Sequence, residues 1–305
     1  MRYCLFIFLI LFEGCQNTQP TNKKLKIVCT TSMIADVFQN IAKDSAEVIS
    51  LMGAGVDPHL YKATHGDIKK LLSADVVFYN GLHLEGKMGE ILKKLARQKS
   101  VIAIGEGIAA SRLIFADEDT HTPDPHIWFD VVLWRDAIIY GAKELERLDR
   151  EKFGGRRANY FIKNTTDYIQ YLDSLDIQVK KEFETIPDNQ RILITSHDAF
   201  EYFGRAYRFH VRGLQGISTL SDFGLKDISD LVKFIVKNSI KAIFVETSMS
   251  EQSIQAVIQG CRAQGHQVRL GGRLYSDALG KSGTSEGTYI GMIKTNAMII
   301  ANALR

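Results

Sequence analysis

From residue 25 onward the apolar residues alternate between two rhythms. Short runs rich in β-branched side chains predict strands at residues 26–30, 48–52, 75–79 and 101–104. Between them, apolar residues spaced three and four apart predict helices at 33–41, 66–72 and 85–95. A second series has strands expected at 191–195, 211–214, 242–245 and 267–270, and helices at 199–207, 225–237, 252–259 and 288–304. Strands alternating with helices in this way imply parallel sheets with helices on both faces.

The stretch joining the two series is different. Residues 109–125 break the rhythm with a short acidic segment containing His121, and 129–148 are helical in composition. In residues 156–183, Phe161, Tyr168, Leu172, Leu175, Val179 and Phe183 recur at steps of three, four or seven, the stripe of a helix with one buried face, and Pro187 closes it. At 1.5 Å per residue this helix would run about 40 Å, enough to act as a strut. The expected fold is α/β, in two lobes, each a parallel-type sheet with flanking helices, joined by one long rigid backbone helix. The expected division is an N-terminal lobe over 25–150, a linking helix over 151–187 and a C-terminal lobe over 188–305. A chain of 305 residues is long enough for two lobes.

The first residues follow neither rhythm. Arg2 precedes ten apolar residues, 3–12, too few to span a bilayer as a helix but suited to a signal-peptide core. Gly14-Cys15 directly afterwards resembles a bacterial lipobox, with cleavage before Cys15 and lipid on its sulfur, although Glu13 stands where a small neutral residue is usual. The expectation is a signal peptide over 1–14 and a lipid-anchored tether over 15–24, holding the protein to a membrane. Cys29 and Cys261, far apart in sequence, read as two buried free thiols rather than as a disulfide or zinc knuckle.

Composition mainly excludes. A net charge of +3, with basic and acidic residues interspersed, gives no nucleic-acid footprint. Gly283-Thr284-Ser285-Glu286-Gly287 fits the GxSxG pattern, but no strand precedes it and no histidine follows it. Gly280-Lys281-Ser282 resembles the end of a phosphate loop, but Tyr275 occupies the position of the required glycine. ATP hydrolysis would therefore belong to a separate subunit.

The chemistry gathers in one repeated tripeptide. Asp-Pro-His occurs twice, at Asp57-Pro58-His59 and Asp124-Pro125-His126, each placing an imidazole after a backbone constrained by proline. His197 follows the strand at 191–195, and Asp277 lies in Tyr275-Ser276-Asp277-Ala278-Leu279-Gly280. His59, His197 and Asp277 follow predicted strands and His126 enters a helix, so all four can face one cleft. Three imidazoles and a carboxylate suit a divalent transition metal, with zinc and iron preferred over manganese on ligand type alone. His65, His83, His121, His210 and His266 lack matching contexts. Glu246, after the strand at 242–245, reads as a hydrogen-bond acceptor behind the site, or as the base of a secreted metallohydrolase using the same ligands. A surface adhesin is a third reading.

Six segments together resemble the TroA-like (cluster A-I) zinc/manganese-binding lipoproteins, the solute receptors of metal ABC importers. They are residues 30–36, 57–61, 80–85, 124–130, 196–200 and 275–280. The resemblance covers essentially the whole mature chain. It implies one divalent metal, Zn²⁺ or Mn²⁺ with Fe²⁺ as a further candidate, held between the lobes by His59, His126, His197 and Asp277. It also implies a non-enzymatic, monomeric receptor on the outer face of the cytoplasmic membrane or in the periplasm, delivering metal to a permease with its own ATPase. Manganese-selective relatives tend to carry a carboxylate where this chain has His197. Zinc-selective relatives tend to have a long histidine-rich loop, which here is short.

Overall fold

Strand β1 (Leu25–Cys29) is apolar and buried at every position but Lys26, the signature of a strand covered on both faces. It lies between β2 (Ala46–Ser50) and β3 (Val76–Tyr79), with β4 (Ser100–Ala103) beyond β3, all parallel in the order β2-β1-β3-β4. The register sets Ile27 opposite Val48 and Val76. Because side chains alternate, Ile27, Cys29, Val76 and Phe78 face one core while Val28 and Val77 face another. The first core takes α1 (Ser32–Ala42), whose start is capped by the Thr31 hydroxyl. The second takes α2 (His65–Ser73) and α3 (Gly89–Ala96). The structure, a computed structural model, describes residues 24–117, 122–220 and 223–305. The expected signal peptide, Cys15, nearly all of the tether and His121 lie outside them.

A small antiparallel hairpin, β5 (Phe115–Asp117) and β6 (Thr122–Pro123), falls within the segment that sequence reads as irregular. Helix α4 (Val131–Phe153) follows, capped by the Asp130 carboxylate and stopped at Gly154 in the left-handed conformation (φ 77°). The strut is α5 (Ala158–Phe183), and all six residues of its predicted stripe are buried. Several boundaries differ from expectation, α4 running five residues past 148, and two of the differences have a local cause. The helix predicted from residue 85 begins at Gly89, because Gly81, Leu82 and His83 all have positive φ and turn the chain first. The last strand is Arg269–Leu274 rather than 267–270, with a register shift between Leu270 and Gly272.

The second lobe holds two parallel pairs, β7 (Ile192–His197) with β8 (His210–Gln215) and β9 (Ala242–Glu246) with β10 (Arg269–Leu274), β7 lying beside β9. Helix α6 (Glu201–Tyr207) connects β7 to β8; α7 (Leu225–Lys237) and α8 (Glu251–Ala263) flank β9 in sequence; α9 (Tyr289–Leu304) ends the chain. Ile194, Leu214, Ile243 and Val245 pack with α7 and α8 in a core of their own. Leu193, Val211, Phe244 and Leu274 face the other way, into the same core as α1, α5 and β1. One apolar cluster thus runs from the first lobe through the strut into the second. No helix among the described residues is long and apolar enough to cross a membrane.

Candidate metal centre

His197 is the last residue of β7, and Asp277 lies three residues beyond the end of β10. His126 leads into the 3₁₀ turn Ile127–Phe129 ahead of α4, and His59 sits in the loop between β2 and α2. All four are buried, at 2% exposure or less, and each offers one ligand atom within 4.8 Å of the others. The four converge from both lobes.

The repeated tripeptide works through its aspartate as well as its proline. In each copy the carboxylate folds over the proline, which has no N–H, and accepts from the backbone N–H of the histidine. Asp57 Oδ1 is 2.8 Å from His59 N, and Asp124 Oδ1 is 2.9 Å from His126 N. The copies then diverge. Asp124 Oδ1 also meets His126 Nδ1 at 2.7 Å, which leaves Nε2 facing the cluster. Asp57 Oδ2 accepts from the Thr219 hydroxyl at 2.7 Å.

Glu246 supports His197 in a related way. Its Oε1 accepts from the Ser196 and His197 N–H groups at 3.0 and 3.4 Å. Its Oε2 lies 3.5 Å from His197 Nδ1, an electrostatic contact rather than a formed hydrogen bond. Gly213, opposite Thr195 on β8, is a further determinant that sequence reading passed over. A Cβ there would stand 2.5 Å from Asp198 N and 2.6 Å from the His197 carbonyl carbon, so only glycine lets β8 approach the His197 backbone this closely.

At the centre, Asp277 Oδ1 lies 3.5 Å from His126 Nε2 and Oδ2 lies 3.3 Å from His197 Nε2, while the Nε2 atoms of His59 and His126 are 3.3 Å apart. Both oxygens of Asp277 and both ring nitrogens of His197 are buried without hydrogen-bond partners among the described residues. Stranding such groups in the interior is costly, and a cation at their centre would satisfy them together. Burial drives the His59 imidazole down to about 3. Burial alone would also lower His197 and raise Asp277, but their mutual attraction, with Glu246 behind His197, raises His197 and holds Asp277 well below the usual carboxylate range.

The remaining candidates are elsewhere. His65, His83 and His210 are exposed, and His266 meets the Ile240 carbonyl at 2.7 Å. Ser285 begins a 3₁₀ turn rather than a strand-to-helix elbow, and Cys29 and Cys261 are free and buried.

Fold and site together define a two-lobed receptor architecture with a buried cluster of three histidines and one aspartate suited to a divalent metal. The family described as ZnuA, zinc-uptake complex component A, periplasmic, matches residues 27–303, and the chain belongs to that family. It is 50% identical to the manganese-binding lipoprotein MntA of Bacillus subtilis (strain 168), over 94% of this chain and 92% of that one. It is 44% identical to the zinc-binding protein TroA of Treponema pallidum (strain Nichols), over 95% and 92%. The solved structure of the periplasmic zinc-binding protein TroA from Treponema pallidum superposes with a TM-score of 0.88 at 42% identity, covering 92% of this chain and 99% of that one.

Proposed function

We propose that this protein is an extracytoplasmic receptor that captures one divalent transition metal ion, Zn²⁺ or Mn²⁺, and delivers it to the permease of an ABC importer with a separate ATPase. His59 and His126 hold the cargo from the N-terminal lobe, and His197 and Asp277 from the C-terminal lobe. The observation that carries this reading is the convergence of four buried ligand groups whose polar atoms have few other partners. The relatives named for manganese and for zinc support both ions as cargo.

Carriage fits this site better than catalysis. Four buried side chains can fill a four-coordinate site with protein atoms alone, which favours a closed carrier site over one that keeps a position for a reactive water. The carboxylate that a hydrolase would need as a base, Glu246, has one oxygen engaged by two backbone N–H groups. The chain divides functionally into a signal peptide over 1–14, a tether over 15–24 lipidated at Cys15, and a receptor body of two lobes over 25–150 and 188–305 linked by 151–187. The protein works as a monomer.

The deciding experiment is elemental analysis with competitive titration of stripped protein by Zn²⁺, Mn²⁺ and Fe²⁺. One tightly held ion per chain, lost in His59→Ala and His197→Ala, is the expected result. Absence of a stoichiometric ion, or retention of it in both variants, would refute the receptor.

A further inference from the structure

The four ligand mounts are not tied down alike. Trp128 Nε1, two residues after His126, donates to the Ser276 carbonyl beside Asp277 at 2.9 Å. The Tyr289 hydroxyl donates to the Trp128 carbonyl at 2.7 Å, and the Tyr202 hydroxyl of α6 donates to the Asp124 carbonyl at 3.0 Å. These buried bonds lock the mount of His126 to those of His197 and Asp277 across the lobes, and Trp128, Tyr202 and Tyr289 belong to the shared core.

The mount of His59 crosses to the second lobe differently. Apart from the ligand atoms, the hydrogen bond among the described residues that joins the segment 51–64 to that lobe is Thr219 Oγ1 to Asp57 Oδ2, at 2.7 Å. The same carboxylate holds the His59 N–H through its other oxygen, so whatever moves Asp57 moves the ligand. Thr219 is itself aimed, since its carbonyl accepts from Gln215 Nε2 at the end of β8, 3.0 Å away. Thr219 is only 8% exposed, yet its neighbour Leu220 is 48% exposed and Leu60, next to His59, is 43% exposed. The bond lies at the thin edge of the site, with solvent on its flanks.

We propose that Thr219 is the latch of cargo release, a positioning residue that acts through Asp57 to hold His59 on the metal. The inference rests on the receptor reading above. Opening at His59 breaks one hydroxyl–carboxylate bond and leaves the shared core intact. Opening at His126 or Asp277 would pull apart buried aromatic packing together with its hydrogen bonds. The cluster therefore lets go first on the His59 side, and the strength of the Thr219–Asp57 bond sets how long the ion stays.

The test measures the rate at which an excess of chelator strips Zn²⁺ from the full-length protein, with association rate and metal-free melting temperature as companion readouts. Thr219→Val should release Zn²⁺ about tenfold faster, the worth of a hydrogen bond to a charged group. Association rate should stay as in the wild type, and metal-free melting should fall by no more than the loss of one such bond. Thr219→Ala should show the same acceleration without a methyl set against the carboxylate, and Thr219→Ser should restore the slow rate. In an Asp57→Ala background, Thr219→Val should add nothing further. Wild-type release rates in Thr219→Val and Thr219→Ala, or an acceleration that persists in full without Asp57, would overturn the latch while leaving the receptor standing. A wild-type protein that retains no Zn²⁺ would instead remove the receptor reading, and the latch with it.

Discussion

Asp124 Oδ1 receives both the backbone N–H and the ring Nδ1 of His126, and so fixes the position and the tautomer of one ligand with a single atom. Carboxylates behind a metal-bound imidazole typically contribute 10–100-fold to affinity. Asp124→Ala should therefore weaken Zn²⁺ binding by roughly that factor in a competition titration while all four ligands remain. Asp277→Ala removes a ligand and should cost more, with the metal-free fold preserved by circular dichroism; undiminished affinity would exclude Asp277 from the site. The convergence of His59, His126, His197 and Asp277 was legible in the sequence because their types are chemically distinctive and two of them share a repeated tripeptide. The roles of Asp57 and Asp124 were hidden in the same repeat, since a carboxylate that accepts from the backbone N–H two residues on leaves no periodic trace. Gly213 was hidden for a different reason, as its importance depends on the neighbouring strand it touches.

At the level of elements, the strand-to-helix rhythm foretold the parallel strands of both lobes, though not the β5–β6 hairpin, and the stripe on α5 emerged with every predicted residue buried. Boundaries moved where single residues overrule periodicity, as at the left-handed turn 81–83 and the register shift after Leu270. Gly213→Ala should drive β8 off the His197 backbone. The expected cost is roughly 1–3 kcal/mol in denaturant melts, together with a loss of metal affinity. Affinity unchanged at reduced stability would mean that the close approach serves packing alone. Leu172→Ala, in the middle of α5 and fully buried, should cost about 2–5 kcal/mol by leaving a cavity, with little effect on metal affinity in whatever fraction stays folded.

For the whole molecule, protons and metal compete for the same nitrogens. The His59 imidazole has a folded pKa of about 3, below the value of about 6.5 for an unfolded chain. Below pH 6.5 the unfolded chain therefore takes up a proton that the folded one refuses, and the metal-free protein loses stability as pH falls, by up to about 1.4 kcal/mol per unit. His197 acts in the opposite sense. Burial lowers its pKa, but Asp277 and Glu246 raise it further, so its contribution to the metal-free protein is complete below about 6.5 and fades as pH rises through the folded value. Capturing a metal needs His197 neutral and expels that proton, so affinity falls with pH. Thermal melts with and without Zn²⁺ between pH 5 and 8 should show a gap that widens as pH rises. A gap independent of pH would mean that no proton leaves on binding.

The apolar cluster that passes from β1 through α5 to β10 also settles how this molecule can come apart. Two lobes in outline are one body in energy, because neither can shed the other without wetting the faces of α1, α5 and α9 that they share. Calorimetry should record a single cooperative transition, and a fragment cut on either side of the strut would be no half-receptor. It would be a sticky remnant, prone to clump with its own kind before it could meet an ion.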